Sequence, residues 1–253
     1  MGGLGAIVRG RTWGRSAWLG FVCGLAFFAP LLHFTVPAMG NAQGWIALTI
    51  TESLYLALLG AAWSWASRLG PLDDGRDGDG RRGWRGAAAR VAALAVLWAA
   101  VEELRSSWPW GGFPFGRLAF AMADSPLLPF ASIGGVAGLG LLVALIGALE
   151  AEAAHALRHG TGLGALTALI AAGAAAVAPL AIPMPSQPES GTLRLAAVQG
   201  SVADAQDSYD RAMEVTGKHA DETIRLAGEA GPGAVDAVVW PENAADLDPR
   251  DHP

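Results

Sequence analysis

The chain has 253 residues, 52% of them hydrophobic and only 16% charged, with a formal net charge of −6. Soluble domains run near about a quarter charged, and here the charge falls in short clusters between long apolar runs, so bilayer is the expected solvent for most of the chain. No basic stripe points to nucleic acid, and a single cysteine, Cys23, excludes a disulfide framework or a thiol metal site built from this chain.

A spanning helix needs roughly 20 mainly apolar residues. Five segments meet that length or approach it: 16–36, 44–66, 87–104, 131–149 and 162–182, the third being the shortest. Arg9, Arg11 and Arg15 precede the first in the manner of a secretory signal. That apolar stretch is too long for one and four more follow, so it is read as a retained span. Alternate connections hold the basic residues. The N-terminal arm has three arginines, Arg68, Arg76, Arg81, Arg82, Arg85 and Arg90 surround the second connection, and Arg158 lies in the fourth. The first connection has no basic residue, and the third has only Arg105 and Arg117. Loops rich in Lys and Arg stay cytoplasmic, which places the N-terminus inside and everything after about Pro183 outside. The expected location is therefore a cell membrane, crossed several times.

Between the second and third segments, Leu72 to Gly83 is mostly Asp, Gly and Arg and is expected as a flexible cytoplasmic loop. Glu52 lies within the second segment. Two readings stand for it: a functional ionisable group, or a protonated or hydrogen-bonded helix contact. Glu102, Glu103 and Arg105 close the third segment and are expected either to pair at the interface or to receive lipid head groups. Trp108, Trp110, Phe113 and Phe115 follow as an interfacial aromatic belt. Gly134, Gly135, Gly138 and Gly140 permit close helix packing in the fourth segment. His33 and Cys23 are expected to be packed, Cys23 as a small buried core residue.

Prolines 179, 183, 185 and 188 then break any helix, and 184–191 is a stiff linker. Beyond it the periodicity changes. Residues 192–198 form a short β-rich run between glycines, expected as a buried strand. Apolar positions from Asp207 to Ala227 recur every three or four residues, one face of an amphipathic helix that carries the only lysine, Lys218, on its solvated side. A second apolar strand runs from Asp236 to Trp240. Strand, helix, strand makes a βαβ unit with parallel strands, and residues 192–253 are too few for the sheet it implies, so the chain is expected to stop mid-domain. Glu242 directly follows the second strand, where open α/β sheets place ligands and reactive groups. It is either a general base or a solvated loop acid.

Three segments carry a resemblance. Leu193-Arg-Leu-Ala-Ala-Val-Gln-Gly200, the amphipathic helix and Val238-Val-Trp-Pro-Glu-Asn-Ala244 together resemble the start of a nitrilase-superfamily (carbon–nitrogen hydrolase) domain. Behind a multi-helix membrane region, that is similar to the bacterial apolipoprotein N-acyltransferases. Glu103-Leu-Arg105 and Gly112-Phe-Pro-Phe-Gly116 are similar to that family's E-x-R and G-F-P-W segments, and Asn243 with Asp246-Leu-Asp-Pro249 looks like its actinobacterial branch. The sequence departs from the family in lacking a proline soon after Val-Gln-Gly and two further N-terminal helices.

The resemblance implies a fold of about five transmembrane helices (1–183) followed by the truncated start of an αββα sandwich (192–253). It implies N-acylation of the diacylglyceryl-cysteine terminus of apolipoproteins from a phospholipid acyl donor, through a Glu-Lys-Cys triad. Glu242 would be the base. Glu103, Arg105, Phe113 and Pro114 would help bind the lipid substrate, and membrane lipids and the lipoprotein acceptor would be the partners. No cofactor or metal is implied. The family's Lys and Cys belong beyond Pro253, so the chain as written is expected to be inactive. Two other classes remain open: a non-enzymatic membrane scaffold or transporter-like fragment, and a membrane-tethered amidase.

Overall fold

The computed structural model describes residues 2–39, 41–67, 80–184, 191–201 and 208–245. The chain divides into two compact units, Met1–Met184 and Pro185–Pro253.

The first unit is helical. It begins with α1 (Gly2–Val8), α2 (Trp13–Leu31), the short α3 (Thr35–Met39), α4 (Ala42–Ala66) and α5 (Gly80–Ser107). Two 3-10 turns, Leu118–Met122 and Leu128–Phe130, then lead into α6 (Ala131–Arg158) and α7 (Gly162–Val177), which ends in a third turn, Ala178–Ala181. Local sequence accounts for several boundaries. Asn41 caps α4 by accepting from the N–H groups of Gln43 (3.0 Å) and Gly44 (3.3 Å), satisfying donors that the first helical turn leaves unpaired. Pro30 lies in the last turn of α2, and Leu32–Phe34 separates that helix from α3, so the expected first segment is two helices rather than one.

Three clusters form the core. Val8, Trp63, Val91, Leu94 and Ala148 join α1, α4, α5 and α6. Phe28, Leu32 and Leu56 join α2 and α4 toward their other ends. Ala119, Leu127 and Leu139 seat the 3-10 turns on α6. The closest helix pair is α2 on α4. A Cβ added at Gly20 would lie 2.1 Å from the carbonyl oxygen of Leu56, and one at Gly60 would lie 2.3 Å from that of Ser16. Small residues let membrane helices approach to backbone contact, and Gly20 with Gly24 on α2 does so here, whereas of the fourth-segment glycines Gly140 instead leaves room for the Glu102 carboxylate.

Large apolar side chains face outward from these helices, among them Trp18, Val22 and Phe27 on α2 and Leu163, Leu166 and Ile170 on α7. Among the described residues, four helical stretches are long and apolar enough to cross a membrane: Trp13–Leu31, Ala42–Ala66, Leu128–Arg158 and Gly162–Ala181. The third expected segment does form a helix, α5, of 28 residues, but Arg90, Glu102 and Glu103 interrupt its apolar run.

Several expectations need correction. Residues 80–83, placed in the flexible loop, begin α5, while the rest of that loop from residue 72 to 79 lies outside the described residues. The N-terminal arm contains a helix, α1, packed against α6. The fourth segment runs on to Arg158, so Glu150, Glu152 and His155 are helical. Cys23 is exposed on α2 rather than buried, at the edge of a cavity that it lines together with Leu56 and Leu59 of α4.

The second unit holds β1 (Leu195–Ala197), α8 (Ser208–Ala230) and β2 (Ala237–Val239). The strands pair in parallel, with Leu195 opposite Ala237 and Ala197 opposite Val239. The βαβ unit expected from periodicity is therefore present, and the expected αββα sandwich is not among the described residues. The strands are shorter than expected and are not buried, with Leu195 and Val239 each about half exposed. On α8, Arg225 bridges Glu222 and Glu229, and Lys218 pairs with Glu214 at 2.6 Å. That is the charged face expected of an amphipathic helix.

Candidate functional site

Two sets of residues hold groups capable of chemistry, one in each unit. In the first, Arg105 lies in the last turns of α5, 3% exposed, and its guanidinium has several acceptors. One guanidinium nitrogen donates to Glu52 Oε2 at 2.8 Å and to the carbonyl oxygens of Phe113 and Phe115 at 2.9 and 2.7 Å. Glu52 is 2% exposed. A buried charge is tolerated only when it is paired and hydrogen-bonded, and each of these two satisfies the other. The guanidinium also lies over the Phe28 ring, 5.3 Å from its centroid.

The loop from Trp108 to Gly116 is held at further points. Tyr55, one turn along α4 from Glu52, donates its hydroxyl to the Trp108 carbonyl at 2.5 Å. The Phe113 N–H donates to the Arg105 carbonyl at 3.0 Å, which folds the loop back on α5. Gly112 makes that return possible. Its φ is +77°, and a Cβ there would meet the Ser106 carbonyl carbon at 2.2 Å, so no L side chain fits. Phe113 and Phe115 stack at 4.7 Å, and Phe115 meets Phe34 at 5.3 Å.

Glu103 and Arg105 do not pair with each other. Glu103 is exposed and pairs with Arg117, while Glu102 is buried and accepts the Leu118 N–H at 2.9 Å. Phe113 is half-buried and Pro114 is exposed. Beside this polar cluster is a cavity of about 150 Å³, walled by Cys23, Phe27, Phe28 and Trp98 and reaching Glu102 and Arg105. His33 meets the Trp45 ring edge-on at 5.5 Å but is exposed, not packed in the core as expected. Sequence reasoning singled out Glu52 and Arg105 separately but missed that they are partners, and missed Tyr55. The signal available was the i, i+3 spacing of Glu52 and Tyr55, which puts both on one face of α4.

In the second unit, Glu242 stands in the turn after β2, exposed, between Pro241 and Asn243. Asn243 has φ +60°, in the left-handed region that Asn tolerates better than most residues. The turn is tied to α8 on both sides. Trp240 Nε1 donates to Thr223 Oγ1 at 3.0 Å, and Thr216 Oγ1 donates to the Ala244 carbonyl at 3.1 Å. His219 is 2% exposed, lies 5.6 Å from Trp240 ring to ring, and fills the space beside Gly200. A Cβ at Gly200 would meet the His219 ring at 2.6 Å, which accounts for the glycine closing Val-Gln-Gly. Asp246 to Pro249 lie outside the described residues.

The first unit thus carries the apolar helices of a membrane protein with a pinned loop beside them, and the second carries a carboxylate at the rim of a βαβ unit. The sequence model of the apolipoprotein N-acyltransferase N-terminal domain matches residues 3–149, and the chain belongs to the apolipoprotein N-acyltransferase family. The chain is 34% identical to the apolipoprotein N-acyltransferase of Mycolicibacterium smegmatis over 91% of its own length and 39% of that relative's. It is 30% identical to the Azotobacter vinelandii apolipoprotein N-acyltransferase over 91% of this chain and 43% of that one. A third relative so named, from Ralstonia nicotianae, is 32% identical over 68% of this chain and 32% of its own. The chain thus spans about two fifths of the length of the first two.

Proposed function

We propose that this chain is the membrane region and first βαβ unit of an enzyme that N-acylates the diacylglyceryl-cysteine terminus of apolipoproteins. The donor is a membrane phospholipid. Family membership, with Glu242 at the rim of a parallel βαβ unit, is the observation that carries the reading.

In a protein of the relatives' full length, Glu242 takes the proton of a cysteine thiol, and the thiolate attacks the ester carbonyl of the phospholipid. A lysine stabilises the oxyanion. The tetrahedral intermediate collapses to a thioester and expels the lysophospholipid alkoxide, which receives the proton from Glu242. The lipoprotein's free α-amino group then attacks the thioester, losing a proton as the thiolate leaves, and the acyl chain ends in an amide.

Both substrates live in lipid, which gives a physical reason for joining the catalytic unit to helices. Phe113 and Pro114 belong to the loop that receives the lipid, and Glu103 and Arg105 stand beside it at the end of α5, with Arg105 holding its backbone. In this reading α5 is a fifth crossing, the N-terminus is cytoplasmic, and the loop and the second unit are extracytoplasmic. Glu242→Gln in a full-length version should lower acyl transfer by about 10²–10⁴-fold, the range general-base catalysis contributes. Wild-type rates in that variant would remove the mechanism.

A further inference from the structure

The buried pair between α4 and α5 does something that neutralising charge does not explain. An ion pair buried in a helix bundle is frequently replaceable by apolar residues at no cost in stability. Stability alone therefore gives no reason for Glu52 and Arg105. What apolar residues could not supply is the hold that Arg105 has on two backbone carbonyls, those of Phe113 and Phe115, on either side of Pro114.

A long flexible arginine keeps such a hold better when the same guanidinium nitrogen is also fixed by a charged acceptor. Glu52 does this at 2.8 Å from the neighbouring helix, itself 2% exposed. Tyr55, on the same face of α4, fastens the other end of the loop at the Trp108 carbonyl.

We propose that Glu52 is a positioning residue: through Arg105 it sets the place of the outer loop from Trp108 to Gly116, and α4 is the platform on which that loop is built. The loop's placement stands on geometry alone, whereas its service to acyl transfer rests on the function proposed above.

The experiment uses the full chain in lipid nanodiscs, with Cys23→Ala and a nitroxide on Trp110→Cys, a position 99% exposed. Electron paramagnetic resonance reads the label's mobility. Glu52→Leu, and the near-isosteric Glu52→Gln should the first fail to fold, is expected to shift the spectrum toward fast motion. The double exchange Glu52→Arg with Arg105→Glu restores opposite charges but removes the donor from the carbonyls, so the loop should stay loose in a folded protein. An unchanged spectrum in the single variants overturns the proposal. So does an exchange that returns the loop to wild-type immobility, because neutralisation alone would then suffice.

In a full-length version, Glu52→Gln should lower the kcat/KM for the phospholipid by about 10²-fold, the penalty of a misplaced site whose chemistry is intact. Loosening without that loss overturns the role in transfer and leaves Glu242 untouched. An unaltered full-length protein that transfers no acyl chain overturns the proposed function and leaves the loop result standing.

Discussion

Arg105 and Asp236 show what single residues contribute in the two units. Arg105 is buried and works by holding several acceptors at once, so its value lies in geometry. Asp236 is solvent-facing and works through charge. Its carboxylate accepts from the Arg194 backbone N–H at 2.8 Å and from the Arg194 guanidinium at 3.3–3.4 Å, which ties the entry of β1 to that of β2. The backbone hydrogen bond, then the guanidinium, favours the charged form and holds the Asp236 carboxyl below its ordinary 3.8. A carboxylate whose value is lowered by folding adds stability above its unfolded value, and that contribution is lost as pH falls through the lowered one. The contact should therefore persist at neutral and mildly acidic pH and fail only below the ordinary carboxylate range. A carboxyl-carbon NMR titration of the full chain checks this, and a midpoint at or above 3.8 would refute it. The partners of such residues were not legible in sequence. Glu52 announces itself as an acid in an apolar run, but Arg105 lies 53 positions away and only the packing of α5 on α4 brings them together.

At the scale of elements, the α2–α4 pair is where small side chains decide the structure. Gly20 and Gly60 place each helix's backbone against the other's carbonyl groups, leaving no room for a Cβ. Gly20→Val or Gly60→Val should force the helices apart and cost about 1–3 kcal/mol, as overpacking generally does. Gly173→Val on α7, where an added Cβ meets nothing within 4 Å, is the control. Equilibrium unfolding in mixed micelles measures both, and equal stability of all three variants with wild type would contradict the packing described.

Element existence was legible because long apolar runs and the period of α8 are strong local signals. Ends were less so. The extension of α6 past residue 149 depends on neighbours that satisfy polar groups, Arg9 and Arg90 on Glu152. The strands read as buried because their residues are apolar. Burial, however, is supplied by what packs on a strand, and among the described residues that cover is thin.

For the whole molecule the decisive question is whether α5 crosses the membrane. Its composition argues against it, since Arg90, Glu102 and Glu103 fall within or beside its apolar stretch. Its surroundings argue for it. Arg90 binds Glu152 on α6, Arg105 binds Glu52 on α4, and Glu102 accepts the Leu118 N–H, so the charges that would oppose insertion are satisfied inside the bundle. The two possibilities differ in parity. If α5 crosses, the turn at Trp110 is outside, the turn at His159–Gly160 is inside, and the βαβ unit follows α7 to the outside. If it does not, all three change sides. The distribution of basic residues favours the first, with Arg158 beside the inner turn and only Arg105 and Arg117 in the outer connection. Cysteines placed singly at Trp110 and Gly160, in a Cys23→Ala background, should therefore differ in intact cells. A membrane-impermeant maleimide should label Trp110→Cys and leave Gly160→Cys unreacted until the membrane is opened. The reverse pattern would put the pinned loop in the cytoplasm, away from a lipoprotein acceptor on the outer side, and the proposed acyl transfer could not take place there.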